Sequence, residues 1–144
     1  METFKFETSF GRALGVAHTA MYRHLAKLMK DKNLPITPDQ FRVLSHLWKT
    51  DGLQQSELAA CTNRNRANVT RIIDILEREK VVIRQDDPND RRVFRIYLTE
   101  LGKQLEKETA ECAEKSIEDS LKGVSEQERA IAMGVLKKII ANVG

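Results

Sequence analysis

QSELAACTNRNRANVTRIIDILEREK, residues 55–80, divides into three parts. Gln55 to Cys61 reads as a helix of about two turns with Leu58 and Cys61 toward the core, and Thr62-Asn63-Arg64 interrupts it. Asn65 then offers an N-cap for a longer helix to about Lys80, whose apolar residues Val69, Ile72, Ile73 and Leu76 share one face. A short helix, a three-residue turn and a longer helix make the helix-turn-helix layout.

Downstream, the β-branched runs Val81-Val82-Ile83 and Val93 to Leu98 flank the polar stretch Gln85 to Arg92, which predicts a β-hairpin with a charged tip. Upstream, Thr37-Pro38-Asp39-Gln40 combines a capping hydroxyl, a first-turn proline and a glutamine three residues past the cap. The helix it opens carries Phe41, Leu44, Leu47 and Trp48 on one face and stops at Asp51-Gly52.

Further out lie longer helices. From Ser9 to Lys32 the positions Phe10, Leu14, Ala17, Met21, His24 and Leu28 form one stripe, which Val16 and Leu25 widen. Thr99 caps a helix to about Lys122 with Leu101, Leu105, Cys112, Ile117 and Leu121 on its apolar side. Ser125 to Glu128 is a capping box for a last helix with Ile131, Val135, Leu136, Ile139 and Ile140 inward. This terminal layer is larger than so small a central domain needs for its own core, so the termini are expected to form a dimer interface. The boundaries are 1–36 for the N-terminal dimerisation helix, 37–98 for the central domain and 99–144 for the C-terminal dimerisation helices.

Composition fits a mainly helical chain. It has 144 residues, 41% hydrophobic, with 7 glycines and 3 prolines, too few for a Gly/Pro-punctuated β-sandwich. The longest charge-free stretch, Ala13 to Tyr22, is far short of the ~20 apolar residues of a membrane span. METFKFETSFGR lacks a signal-peptide layout, so a cytoplasmic location is expected. Cys61 and Cys112 suggest neither a disulfide framework nor a CxxC site.

The net charge of +3 is modest, but eight of the twelve arginines lie between Arg64 and Arg95, where Lys80 is the one lysine. A planar guanidinium donates two parallel hydrogen bonds to a phosphate or a guanine edge, which lysine cannot do. The bland alternative is that these arginines pair with Asp74, Glu77, Asp86, Asp87 and Asp90. An exposed helix start with Arg64, Asn65, Arg66 and Asn68, and Thr70 and Arg71 a turn further on, would offer donors and acceptors to double-stranded DNA.

With Gln55 to Ala59, Ala67 to Glu77, and Asp87-Pro88-Asn89-Asp90-Arg91-Arg92 leading to Ile96 to Gly102, the chain resembles the MarR family of bacterial winged-helix transcription regulators from roughly Phe10 to Val143. The resemblance implies a mainly α fold with a small β-hairpin wing, a winged helix-turn-helix with a helical dimerisation layer from both termini. It implies a homodimer on a pseudo-palindromic operator, acting as a repressor, with Asp90, Arg91 and Arg92 in the wing at the DNA. Asp90 would hold Arg92 extended by a charge-assisted bond. A small aromatic effector lodged where the dimer helices meet the winged domain is also implied. Met21, Tyr22, Trp48 and His18 are wall candidates that core packing explains at least as well.

Rival classes find less support. The chain has no GxSxG, HExxH or phosphate-cradling glycine loop, so an enzyme is not expected, and neither is a cofactor. His18, His24 and His46 show no ligand spacing for a metal. Both cysteines read as small buried hydrophobes, with a thiol-responsive regulator using Cys112 as the minority alternative. A winged helix that docks on protein is the other alternative, against which the arginine bias argues.

Overall fold

A computed structural model describes residues 3–62 and 66–144. After a 3-10 turn at Phe6–Thr8 the element order is α1 (Phe10–Asp31), α2 (Pro38–Lys49), β1 (Leu53–Gln54), α3 (Gln55–Cys61), α4 (Arg66–Arg78), β2 (Val82–Asp86), β3 (Phe94–Leu98), α5 (Glu100–Ser120) and α6 (Glu126–Val143). Four helices start at hydroxyl caps, those of α2, α5 and α6 at the residues the sequence marks. Ser9, Thr37, Thr99 and Ser125 accept the backbone N–H of Arg12, Gln40, Gly102 and Glu128. At Thr37 and Ser125 the third residue also bonds back, closing the capping boxes. Asn33, with φ 56°, turns the chain out of α1 before Pro35.

The core is the junction of α2, α3 and α4 with the sheet. Val43, Leu44, Leu47, Leu58, Val69, Ile73, Leu76, Val81, Val82 and Ile96 are fully buried. The hairpin β2–β3 pairs antiparallel from Val82 opposite Leu98 to Asp86 opposite Phe94. Gln85 and Asp86, expected in the turn, extend β2, so the loop is shorter than the sequence suggests. The third strand, β1, pairs Leu53 with Ile96 and Gln54 with Arg95. Two residues are too short to leave an alternation signal, and only the edge of β3 makes them a strand. Gly52 sets up this pairing: its φ of 76° suits glycine, and a Cβ there would meet the Tyr97 ring at 2.7 Å.

Three inward assignments need correction. Cys61 is exposed. The buried arc of α3 runs through Leu58, Ala59 and Thr62, which leaves Cys61 on the far side of Leu58, and the Thr62 hydroxyl bonds to Leu58 O at 2.8 Å. On α5 the inward stripe is Gly102, Leu105, Thr109, Cys112 and Ser116, stepping by three and four, whereas Leu101 and Ile117 are exposed. Small residues hold this stripe because α5 packs along α1 and lies against Val81 at its start. Finally, α6 buries none of its residues within the chain, and Ile131, Val135 and Ile140 are exposed. Among the described residues no helix is long and apolar enough to cross a membrane.

Candidate nucleic-acid interface

The apolar face of α4 fixes what its other face shows. With Val69, Ile72, Ile73 and Leu76 buried, Arg66 and Arg71 are exposed and Asn68 and Thr70 half-buried. Arg71 Nη2 approaches Asn68 Oδ1 at 3.4 Å, so the two sit side by side on the outer surface. Thr70 is occupied inside the fold. Its hydroxyl donates to Arg66 O at 2.8 Å and accepts from Gln55 Nε2 at 2.7 Å, tying α3 to α4. Arg64 and Asn65, expected at the helix start, lie outside the described residues.

At the wing, Asp90 Oδ1 accepts from both the backbone N–H (3.0 Å) and Nε (3.2 Å) of Arg92. The acid thus holds the arginine by its Nε edge while the side chain stays 91% exposed. Arg91 beside it is exposed as well. Between wing and helices lies a cleft of about 350 Å³ lined by Gln55, Ser56, Ala59, Arg66, Thr70, Arg92, Val93 and Phe94. It brings Arg66 and Arg92, far apart in sequence, to one concave surface.

Two of the clustered arginines are internal. Arg84, whose side chain is 16% exposed, reaches Asp74 at 2.6 Å, Glu77 at 3.0 Å and Gln55 at 3.3 Å, joining β2 to both helices. Arg95 bonds Asp87 at 2.7 Å and Gly52 O at 2.9 Å, joining β3 to the end of α2. For these two the bland alternative holds. Sequence reasoning missed Gln55 and Phe94 at the cleft. The Gln55–Thr70 bond spans fifteen residues and leaves no periodic trace, but Phe94 could have been found from its alternation with Ile96 and Leu98.

Asp87 organises the wing loop. Nearly buried, it accepts from the Asn89 backbone N–H at 2.8 Å and from Arg95, while its own N–H donates to Val93 O. The Asn89 bond first, and Arg95 next among the stabilising contacts, hold its carboxyl below the usual aspartate range against the opposing effect of burial. Because the folded value lies below the unfolded one, this stabilisation is complete above roughly pH 4 and is lost as pH falls through the folded value. Protection of the amides at residues 89–93, measured against the intrinsic exchange rate at each pH, should therefore fall below about pH 4. Asp87→Asn should show the low protection already at pH 7; wild-type protection in that variant at pH 7 would remove the assigned role.

Further cavities border α5. One of about 410 Å³ is lined by His18, Met21, Tyr22, Leu25, Phe41, Arg42, Ser45 and Ser116 among others, and the Tyr22 hydroxyl bonds Asp39 at 3.2 Å near it. Trp48 is not on this wall. Its indole donates to Gly102 O at 2.9 Å and its ring centroid lies 6.0 Å from that of Phe41. Another is lined by Leu28, Lys32, Glu111, Cys112 and Lys115 among others. Cys112 is 4% exposed, and burial pushes its thiol up despite the charge of Lys32, which disfavours the reactive thiolate. His24 faces Asp119 at 2.8 Å across α1 and α5. Among the described residues no group of three or more His, Cys, Asp or Glu could hold a metal.

Helix-turn-helix, three-stranded sheet and extended hairpin define a winged-helix protein. Residues 36–94 match the model of the MarR family. A putative transcriptional regulatory protein for the hcr operon of Thauera aromatica is 26% identical over 104 residues, 72% of this chain and 63% of that protein. The chain thus matches just under two thirds of that relative's length. The HTH-type transcriptional regulator YsmB of Bacillus subtilis is 29% identical over 81% of this chain and 84% of its own length. Among solved structures, Bordetella bronchiseptica BpsR is 25% identical with a TM-score of 0.87, covering 96% of this chain and 97% of that one. DNA binding by BpsR is regulated by 6-hydroxynicotinic acid.

Proposed function

We propose that the protein is a sequence-specific DNA-binding transcriptional repressor. The carrying observation is the division of labour among its arginines: Arg84 and Arg95 are spent inside the fold, while Arg66, Arg71, Arg91 and Arg92 are exposed on α4 and the wing. In this reading α4 enters the major groove, with Arg64, Asn65, Arg66, Asn68 and Arg71 at base edges and phosphates. Thr70 holds α3 and α4 in register. Arg91 enters the flanking minor groove, where a narrow groove concentrates negative potential, and Arg92 contacts the phosphate backbone beside it.

The operating unit is a homodimer in the cytoplasm. The exposed apolar residues Phe4, Phe6 and Phe10 at one end and Ile131, Val135, Ile140 and Val143 at the other make residues 1–36 and 99–144 the dimerisation layer, with 37–98 as the DNA-binding domain. Two recognition helices roughly 34 Å apart fit a pseudo-palindromic operator. The cavity between α1, α2 and α5 suits a small aromatic acid: Met21, Leu25 and Phe41 offer apolar walls, Arg42 a cationic edge and His18 a hydrogen-bonding ring. BpsR, regulated by an aromatic acid, supports that choice. Such a ligand releases DNA by favouring a dimer whose helix separation does not match the operator.

The test is fluorescence anisotropy with the chain's own upstream DNA and a scrambled duplex at several salt concentrations. A preference above about 10³ with a steep salt dependence is the expected result. Arg92→Ala should weaken binding to both duplexes about tenfold and reduce the log–log salt slope by about one. Cognate affinity within about twofold of wild type would sink the wing assignment. Weak binding to both duplexes with a flat salt response would favour a protein-docking module instead.

A further inference from the structure

The cleft between the helix-turn-helix and the wing carries an apolar strip that the arginines do not explain. Phe94 shares its strand face with Ile96 and Leu98, as the two-residue alternation of β3 requires, so it lies on the face opposite Arg95 and Tyr97 and lines the cleft beside Gln55, Ser56 and Ala59 of α3. Ile96 and Leu98 are buried in the core, yet Phe94, next on the same face, is 45% exposed. The core ends short of it, and with Val93 and Ala59 it forms an apolar floor. Arg66 and Arg92 stand on the same lining, with Gln55, Ser56 and Thr70.

An exposed aromatic ring costs solvation free energy in the unbound protein, and flanking cations tell what would cover it. A nucleic-acid strand alternates anionic phosphates with weakly polar sugars, and half or more of protein–DNA hydrogen bonds go to this backbone. A cleft with cationic sides and an apolar floor matches that alternation.

We infer that this cleft grips one sugar–phosphate segment of duplex DNA, with Arg66 and Arg92 on successive phosphates and a deoxyribose seated on Phe94 and Val93. The inference rests on the DNA-binding reading and adds a non-ionic contact to it. Because a sugar carries no sequence information, Phe94 contributes affinity equally on every duplex. Because no counterion is released from a sugar, it contributes nothing to the salt slope. These two signatures separate it from a base-reading side chain and from a phosphate-binding one.

The experiment measures anisotropy of full-length wild type, Phe94→Ala, Phe94→Leu and Arg66→Ala on the upstream and scrambled duplexes at several salt concentrations, with thermal melting of each variant. Phe94→Ala is expected to bind both duplexes about tenfold more weakly with the wild-type salt slope, Phe94→Leu to recover most of that loss, and both to melt close to wild type. Arg66→Ala should lower the slope by about one. Affinity of Phe94→Ala within twofold of wild type would overturn the inference while leaving the DNA-binding reading intact. A loss confined to the upstream duplex, or one that tracks a lowered melting temperature in both Phe94 variants, would also overturn it, the first assigning Phe94 to base readout and the second to the core. Failure of wild type to bind either duplex would remove both readings together.

Discussion

Gly102→Ala should lower the melting temperature by roughly 10 °C, a loss of about 3 kcal/mol. Gly102 lies in the first turn of α5, where the helix lies against the strand that begins the wing. A methyl group there would overlap the Val81 carbonyl oxygen and press on Leu98 Cδ2 at 3.2 Å. That carbonyl cannot retreat freely, since it accepts from the Thr99 backbone N–H at 3.1 Å and the Thr99 hydroxyl at 3.0 Å. Gly102 O in turn accepts from Trp48, so displacing the turn also strips the partly buried indole of its partner. The overlap is with backbone rather than a flexible side-chain end, so the helix start itself must move. The same turn connects the winged domain to the layer proposed to set dimer geometry. Gly102→Ala should therefore also weaken operator binding, measured by anisotropy well below the melting temperature. A variant melting within about 2 °C of wild type would show that this close approach is not maintained in solution.

Much of this was legible in the chain because capping chemistry is local. Thr37, Thr99 and Ser125 announce helix starts within four residues, and the 3–4 spacing of Val69, Ile72, Ile73 and Leu76 fixes which face of α4 turns inward. What escaped depends on contacts between distant segments. β1 exists because Leu53 meets Ile96, and Cys61 is exposed because Ala59 and Thr62 take the inward arc. The apolar residues of α6 read as core from periodicity alone. Periodicity reports that a face needs covering, not whether the same chain supplies the cover. At the candidate interface, residue type marked the arginine cluster, but only tertiary structure sorted Arg84 and Arg95 from Arg66, Arg71, Arg91 and Arg92.

That sorting has its sharpest consequence at Arg84. On β2, its guanidinium Nη2 meets Asp74 at 2.6 Å and the Thr70 carbonyl at 3.5 Å, Nη1 meets Glu77 at 3.0 Å, and Nε meets Gln55 at 3.3 Å. Its own backbone N–H donates to Glu77 at 3.0 Å. One side chain thus fixes the wing strand against α4 while holding the glutamine that positions Thr70. Arg84→Ala leaves two carboxylates and an amide without this partner. Asp74 and Glu77 remain partly exposed to water, which reduces the cost to about 2 kcal/mol of folding stability. The loss in DNA binding should be greater in proportion, roughly 30-fold, because the angle between wing and recognition helix is no longer set and a misplaced contact fails cooperatively with its neighbours. The salt slope should stay near wild type, since Arg84 touches no phosphate in this reading. Arg84→Lys should restore little, because a point charge cannot bridge both acids and Gln55 together. Arg92→Ala is the mirror case, with the slope reduced and the melting temperature unchanged. If Arg84→Ala instead melted like wild type and lost about one unit of salt slope, Arg84 would be a DNA contact and the division of the arginines would have to be redrawn.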